Sequence, residues 1–327
     1  MPYNYIRKLI ELSKPNNYDC CPIRHDGEKG SSNMNYETFC DTIVKSVEAR
    51  VPDGVTVSRK QVSKNNGIML EALMLTSSES NISPTIYMNS FWERYLSGVD
   101  IGELANDVVK CYGEKQVTES FDVEAFTNFE NVKDRICYKV INYNKNEELL
   151  KKVPHYRYLD LAVVFYCLVE EMSNATILIH KSHANLWNVS EEDLLAAAAV
   201  NSPRLLKYKF SNIFNYLSSF GFPGIQEESE NDLIPMYVLS NKSGIYGAST
   251  ILYKNVLKDI GEKLNNDFYV FPSSIHEVIV MPNIPGCDAE YFSEMVKQIN
   301  ANEVKEEEIL SDSVYFYNRE KGDLVRL

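Results

Sequence analysis

The sequence predicts an α+β fold of mixed, mainly antiparallel sheets with helices packed on them. Two observations carry that expectation. Apolar runs of strand length come in successive pairs, VTVSRKQV with IMLEALMLT and DFYVFP with EVIVMP, rather than one strand per helix. Between the pairs lie segments whose apolar residues recur every three or four positions, the period of a helix face laid on a core. A strict βαβ order, which a doubly wound parallel sheet needs, is not what this alternation spells.

Residues 1–33 join a short amphipathic piece, YIRKLIELS, to a stretch rich in turn formers, and read as a partly flexible N-terminal extension. From Asn35 the pattern sharpens. Tyr36, Phe39, Cys40, Ile43, Val44 and Val47 recur at helical spacing until Pro52-Asp53-Gly54 stops them. VTVSRKQV then alternates, Asn65-Asn66-Gly67 supplies a tight hairpin turn, and IMLEALMLT returns. ISPTIYM makes a third strand, which Pro84 starts late or places at an edge. A helix through Phe91, Trp92 and Tyr95 follows, and then another opened by Asp100 and Glu103 at capping-box spacing. Residues 34–130 thus form an N-terminal α+β subdomain.

Residues 131–327 form a C-terminal α+β subdomain, which the sequence leaves either separate or merged with the first into one compact unit. It opens with the strand ICYKVI and a turn at 142–146. A long buried strand over 159–169 and a further strand in ATILIH follow. Ser190 and Asp193 are spaced to cap the helical run LLAAAAV. GVDIGEL at 98–104 and NVSEEDL at 188–194 share a valine, a cap and an acidic-Leu pair. They are a weak repeat of a strand-loop-helix unit, or two helix starts under the same capping physics. After Pro203 comes an aromatic segment ending in an acidic loop. The strand IPMYVLS, a helix over 248–264, the DFYVFP and EVIVMP strands, a helix over 290–300 and a terminal hairpin complete the chain.

Charge excludes some functions. The 33 basic against 46 acidic residues leave −13, which repels a phosphate backbone and argues against direct nucleic-acid binding. No apolar run is long enough for a membrane span. The seven cysteines include no CxxC pair, and no secretory signal opens the chain, so reduced thiols in a cytoplasm are expected. Cys20 and Cys21 with His25 are a weak metal hint, and His180 with His183 lacks a third ligand, so no metal is expected. The glycine-bearing loops are too sparse to cradle phosphate, and no cofactor is expected.

Two clusters carry possible chemistry. In PSSIHEVIVMP, strand alternation places Ser274 and His276 on one face and Ser273 and Glu277 on the other. A serine nucleophile needs a base within hydrogen-bond reach and an acid behind the base. Ser274 and His276 fill the first two roles, and distant Asp160 is a candidate for the third. The alternative is a turn whose serines and Glu277 satisfy backbone donors before a buried strand. The second cluster is His155, Arg157 and Asp160, where Asp160 interrupts an apolar run and requires a partner. Arg157 or His155 is the natural one, which makes an ion pair or a binding site.

The segments KNNG, NISPTIYM, VKDRICYKVINYNKN, VPHYRYLDLAVVFY, YGASTIL, PSSIHEVIVMP and LSDSVYFYNRE together resemble a family of bacterial proteins. That family is common in Gram-positive gut anaerobes and is catalogued as a domain of unknown function. The resemblance spans about Met34 to the C-terminus. It implies a cytoplasmic bacterial protein with relatives near mobile-element genes, and it brings no activity, cofactor or catalytic residue.

Three readings follow. The first is a non-enzymatic cytoplasmic binding or regulatory protein whose partner is another protein, recognised by acidic and tyrosine-bearing surfaces. The second is a hydrolase using Ser274 and His276. The third is an acidic decoy that occupies a nucleic-acid-binding protein.

Overall fold

The computed structural model describes residues 34–78, 81, 83–115, 122–169, 175–218, 235–272, 274–286 and 288–327. Cys20, Cys21, His25, Ser273, Cys287 and the acidic run 226–232 lie outside the described residues. The fold is α+β, with three antiparallel sheets and helices against them. Within the described residues the chain divides into two units. One comprises 34–64 and 68–123, the other 65–67 and 124–327.

In the smaller unit, Asn35 caps helix α1 (Tyr36–Glu48) by accepting the Thr38 N–H at 2.8 Å. Strands β1 (Val55–Ser63) and β2 (Met69–Ser77) pair from Val55 opposite Ser77 to Ser63 opposite Met69. Strand β3 (Thr85–Tyr87) starts directly after Pro84 and lies at the sheet edge, where a missing N–H costs no ladder bond. Helices α2 (Asn89–Leu96) and α3 (Ile101–Lys115) follow. Phe39, Ile43 and Val47 of α1 meet Leu73 and Leu75 of β2 and Leu104 and Val108 of α3 in a buried core. That core realises the helical spacing read from the sequence.

The larger unit holds the other two sheets. Strand β4 (Ile136–Asn142) and strand β5 (His155–Tyr158) flank β6 (Leu161–Leu168), and β7 (Thr176–Leu178) also pairs with β6. Helices α4 (Lys181–Trp187) and α5 (Glu191–Leu205) come next. Strand β8 (Tyr208–Asn212), helix α6 (Ile213–Ser218), strand β9 (Tyr237–Asn241) and helix α7 (Val256–Leu264) lead to β10 (Phe268–Phe271) and β11 (Val278–Pro282). Helix α8 (Ala289–Glu303) and the hairpin β12 (Tyr315–Asn318) with β13 (Asp323–Arg326) follow. The six-stranded order is β13-β12-β10-β11-β9-β8.

Both faces of the centre of this sheet are covered, which is why β10 and β11 read as unbroken apolar runs. Phe268, Val270, Val278 and Val280 face a core shared with Tyr138, Val140, Val163 and Phe165 of the smaller sheet and with α5 and α7. Phe271, Ile279 and Met281, on the opposite face, pack on Phe292, Val296 and Ile299 of α8.

Several sequence expectations shift. The helix expected over 248–264 is a 3-10 turn at Gly247–Leu252 and then α7, interrupted where Asn255 takes a left-handed φ of 67°. Strands β5 and β8 were not expected. Each is short, and neither shows a sustained alternation. The two related segments share more than a helix start. Strand β3 leads to α2 and α3, and β7 leads to α4 and α5. Left-handed Gly98 (φ 97°) and Asn188 (φ 53°) end the first helix of each pair.

Candidate functional site

Residues 274–277 do not continue strand β10. Ser274 forms a lone bridge with Ile309, the Ile275 N–H donates to the Glu308 carbonyl at 2.9 Å, and the chain bends at Ile275 and His276. The strict alternation expected for Ser274, His276 and Glu277 therefore breaks here. Ser274 is buried, and its Oγ accepts the His276 backbone N–H at 3.0 Å. Its hydroxyl also bonds to the Glu277 side chain, which the sequence had placed on the opposite face. This inward commitment replaces the expected contact between Ser274 Oγ and the His276 ring.

The ring of His276 serves a different neighbour. Its Nδ1 accepts the Tyr246 N–H at 3.4 Å, and its plane lies 9° from that of the Tyr246 ring with centroids 6.0 Å apart. Burial lowers the His276 pKa, opposed by the Glu308 charge and a bond to the Gly244 backbone, so the neutral form is favoured at neutral pH. Glu277 is 5% exposed, and burial pushes its carboxyl up to about 7, with the Ser274 bond working in the other direction. The turn therefore holds a neutral imidazole beside a carboxyl that titrates near neutral pH.

Neighbouring segments close over this turn. The Ser240 hydroxyl donates to the His276 carbonyl at 2.7 Å, and the Ala248 N–H donates to the Ile275 carbonyl at 3.3 Å. A Cβ at Gly247 would collide with Ser240 Oγ and the His276 carbonyl, so any larger residue here forces its neighbours to shift.

Asp160 belongs to another cluster. It sits in the turn between β5 and β6 and accepts hydroxyls from Ser311 (2.6 Å), Ser313 (3.1 Å) and Tyr315 (2.5 Å). The ion pair expected with Arg157 or His155 is not formed. The Arg157 guanidinium lies 4.6 Å over the Tyr143 ring and its Nε donates to the Leu159 carbonyl at 3.3 Å. His155 Nδ1 lies 3.1 Å from the Val153 carbonyl oxygen, its ring tilted against Tyr143. Both serve their own strand, because alternation along β5 turns their side chains away from the serines that hold Asp160.

His180 and His183 cap α4: the His180 N–H donates to His183 Nδ1 at 3.2 Å, and His183 packs on Trp187. Among the described residues no group of three or more His, Cys, Asp or Glu side chains is placed to hold a metal ion.

Sequence reasoning missed Ser311, Ser313 and Tyr315, although their i, i+2, i+4 spacing before a strand puts three hydroxyls on one side. It also missed Asn66 and Asn146. The Asn66 N–H donates to Asn146 Oδ1 at 2.8 Å, Asn146 Nδ2 donates to Asn66 Oδ1 at 2.9 Å, and Asn66 Nδ2 donates to the Glu306 and Ile309 carbonyls. Asn146 also donates to the Asn142 carbonyl, and Asn142 to the Leu310 carbonyl. Polar residues of separate sequence segments thus meet along 306–313.

A family model described as a family of unknown function, DUF5688, matches residues 36–319. The chain belongs to that family. The DUF5688 match takes in every described residue of the Ser274–Glu277 turn and of the Asp160 cluster. No curated protein and no solved structure matches the chain. Among the described residues, no helix is long and apolar enough to cross a membrane.

Proposed function

We propose that this DUF5688 protein is a non-enzymatic binding or regulatory protein of a bacterial cytoplasm, and that its partner is another protein. The observation that supports the reading is helix α5, which is apolar on two sides. Leu194 and Ala198 are fully buried in the core, while Ala196, Ala199 and Val200 face outward, Val200 at 65% exposure. A surface helix ordinarily turns a polar face to water, and an outward apolar face is the kind of surface a partner covers. Leu205 and Tyr208, just beyond, are exposed as well. The commitments of Ser274 to the His276 backbone and to Glu277 weigh against the hydrolase reading, since a nucleophile needs its oxygen open to substrate.

The test places a photo-crosslinking residue at position 200, and a second at exposed Lys258 as control, in the full chain expressed in its native cell. The expected result is one protein band crosslinked from position 200, absent from position 258 and lost when Leu205→Glu is added. Labelling of wild-type protein by a serine-reactive fluorophosphonate, abolished in Ser274→Ala, overturns the reading in favour of hydrolysis.

A further inference from the structure

Lys139 is the only charged residue of strand β4, and it is half-buried in a run whose other members are buried. Its Nζ lies 4.1 Å over the ring of Tyr246. Among the described residues no carboxylate oxygen comes within 4.0 Å of it. A ring face offsets only part of the cost of taking an ammonium out of water. The cation remains available to an anion.

A second donor belongs to a residue beside the same ring. Cys137 lies opposite Tyr166 in the β4–β6 register, so Lys139, two residues along, is the diagonal neighbour of Tyr166 on one face of the sheet. Tyr166 meets the Tyr246 ring edge-on with centroids 5.3 Å apart. It is 1% exposed, and its hydroxyl has no hydrogen-bond partner among the described residues. A buried hydroxyl without an acceptor is costly, and such groups mark sites that an outside acceptor completes. Tyr246 itself is held at φ 52° and ψ 31°, a left-handed conformation that non-glycine residues rarely take and that concentrates at binding sites. The loop carrying it is open to solvent at Lys242, Ser243 and Gly244.

We propose that Lys139, Tyr166 and Tyr246 form a binding site for a carboxylate-bearing ligand with an apolar body. One carboxylate oxygen takes the Lys139 ammonium, the other takes the Tyr166 hydroxyl, and the Tyr246 ring supports the body. A carboxylate fits better than a phosphate, because among the described residues Lys139 is the cation over the Tyr246 ring and the Glu308 charge, felt by the neighbouring His276, disfavours a dianion. The site is built from Lys139, Tyr166 and Tyr246 and not from the outward face of α5, although Leu206, just beyond that helix, packs with Tyr166 and the Lys207 carbonyl accepts the Lys242 N–H at 2.9 Å.

The full chain, labelled with 15N, is titrated with benzoate, with N-acetylphenylalanine and with N-acetylphenylalanine amide, and the amide signals of Lys139, Tyr166, Tyr246 and Gly247 are followed. Saturable shifts with N-acetylphenylalanine and none with its amide are expected. Benzoate binding as well identifies a free small acid, and its failure beside N-acetylphenylalanine identifies the C-terminal end of a peptide. Lys139→Met weakens the acid about tenfold or more, the loss of one charge-assisted bond. Tyr166→Phe weakens it severalfold. Equal binding of acid and amide, or no saturable shift with either acid up to about 10 mM, overturns the proposal. The acid–amide comparison is made on wild-type protein, so it holds even where a variant fails to fold.

Discussion

Ser274 Oγ and the backbone N–H of His276 are hydrogen-bonded at 3.0 Å, so the serine closes its own turn. The hydroxyl proton goes to the Glu277 side chain, which leaves Ser274 with one bond given and one received, both inside the turn. A residue used in this way behaves as a structural part.

Ser274→Ala is therefore expected to destabilise the chain by about 1–3 kcal/mol, because it strands a buried N–H and a buried carboxyl together. The Glu277 pKa rises further in this variant, since the Ser274 bond is what holds it down. Urea unfolding of wild type and variant near pH 6 measures the first effect, and its pH dependence the second.

The pH response of the turn follows from two opposed titrations. Glu277 is raised from 4.5 to about 7 in the fold, so its contribution is full below about 4.5 and is lost as pH rises through about 7. His276 is lowered from 6.5, so its contribution is present above 6.5 and is lost as pH falls through its depressed value. Between the depressed His276 value and about 6.5 the two slopes oppose each other. Single variants uncover them. In His276→Asn the Glu277 slope stands alone, and stability rises by up to about 1.4 kcal/mol per unit as pH falls from 7. In Glu277→Gln the His276 slope stands alone, and stability falls as pH drops below 6.5. Unfolding curves of both variants between about pH 5 and pH 8, each compared with wild type, should show slopes of opposite sign.

Much of the fold was legible in the sequence because its signals are local. The Asn65-Asn66-Gly67 turn, the late start of β3 after Pro84 and the cap at Ser190 each depend on a few adjacent residues. The site was not legible in the same way. Asp160 finds its partners more than 150 positions away, and the nearer Arg157 draws the sequence-based inference toward an ion pair that the turn geometry prevents. His276 similarly meets Tyr246 across 30 positions, through a left-handed residue that no apolar period announces.

The Asp160 cluster yields a coupling prediction. Three hydroxyls converge on one carboxylate, so removing the carboxylate strands all three, while removing one hydroxyl strands none of the others. Asp160→Ala should cost about 3 kcal/mol or more, and Tyr315→Phe about 1–2 kcal/mol. Because they share one interaction, the double variant should fall short of the sum by about 1 kcal/mol or more in a double-mutant cycle read by urea unfolding. Simple additivity would mean that the Tyr315 hydroxyl gains nothing from Asp160.

Gly247 gives the most local prediction. Its φ is not positive, so the demand for glycine here is a matter of space rather than of backbone freedom. The hydroxyl of Ser240 and the carbonyl of His276 occupy the position a Cβ would take, and the Asn241 nitrogen is 2.7 Å from it. Gly247→Ala therefore forces apart the contact that closes the turn, at about 1–3 kcal/mol, the usual range for overpacking. Ser240→Ala clears one of the three obstacles at the cost of its own bond to His276. The other two are backbone atoms and cannot swing aside. In the double variant Ser240→Ala, Gly247→Ala, part of the loss should return relative to the sum of the single variants, and part should remain. Full recovery would show that the Ser240 hydroxyl alone sets the limit, and no recovery would place the limit in the backbone of Asn241 and His276.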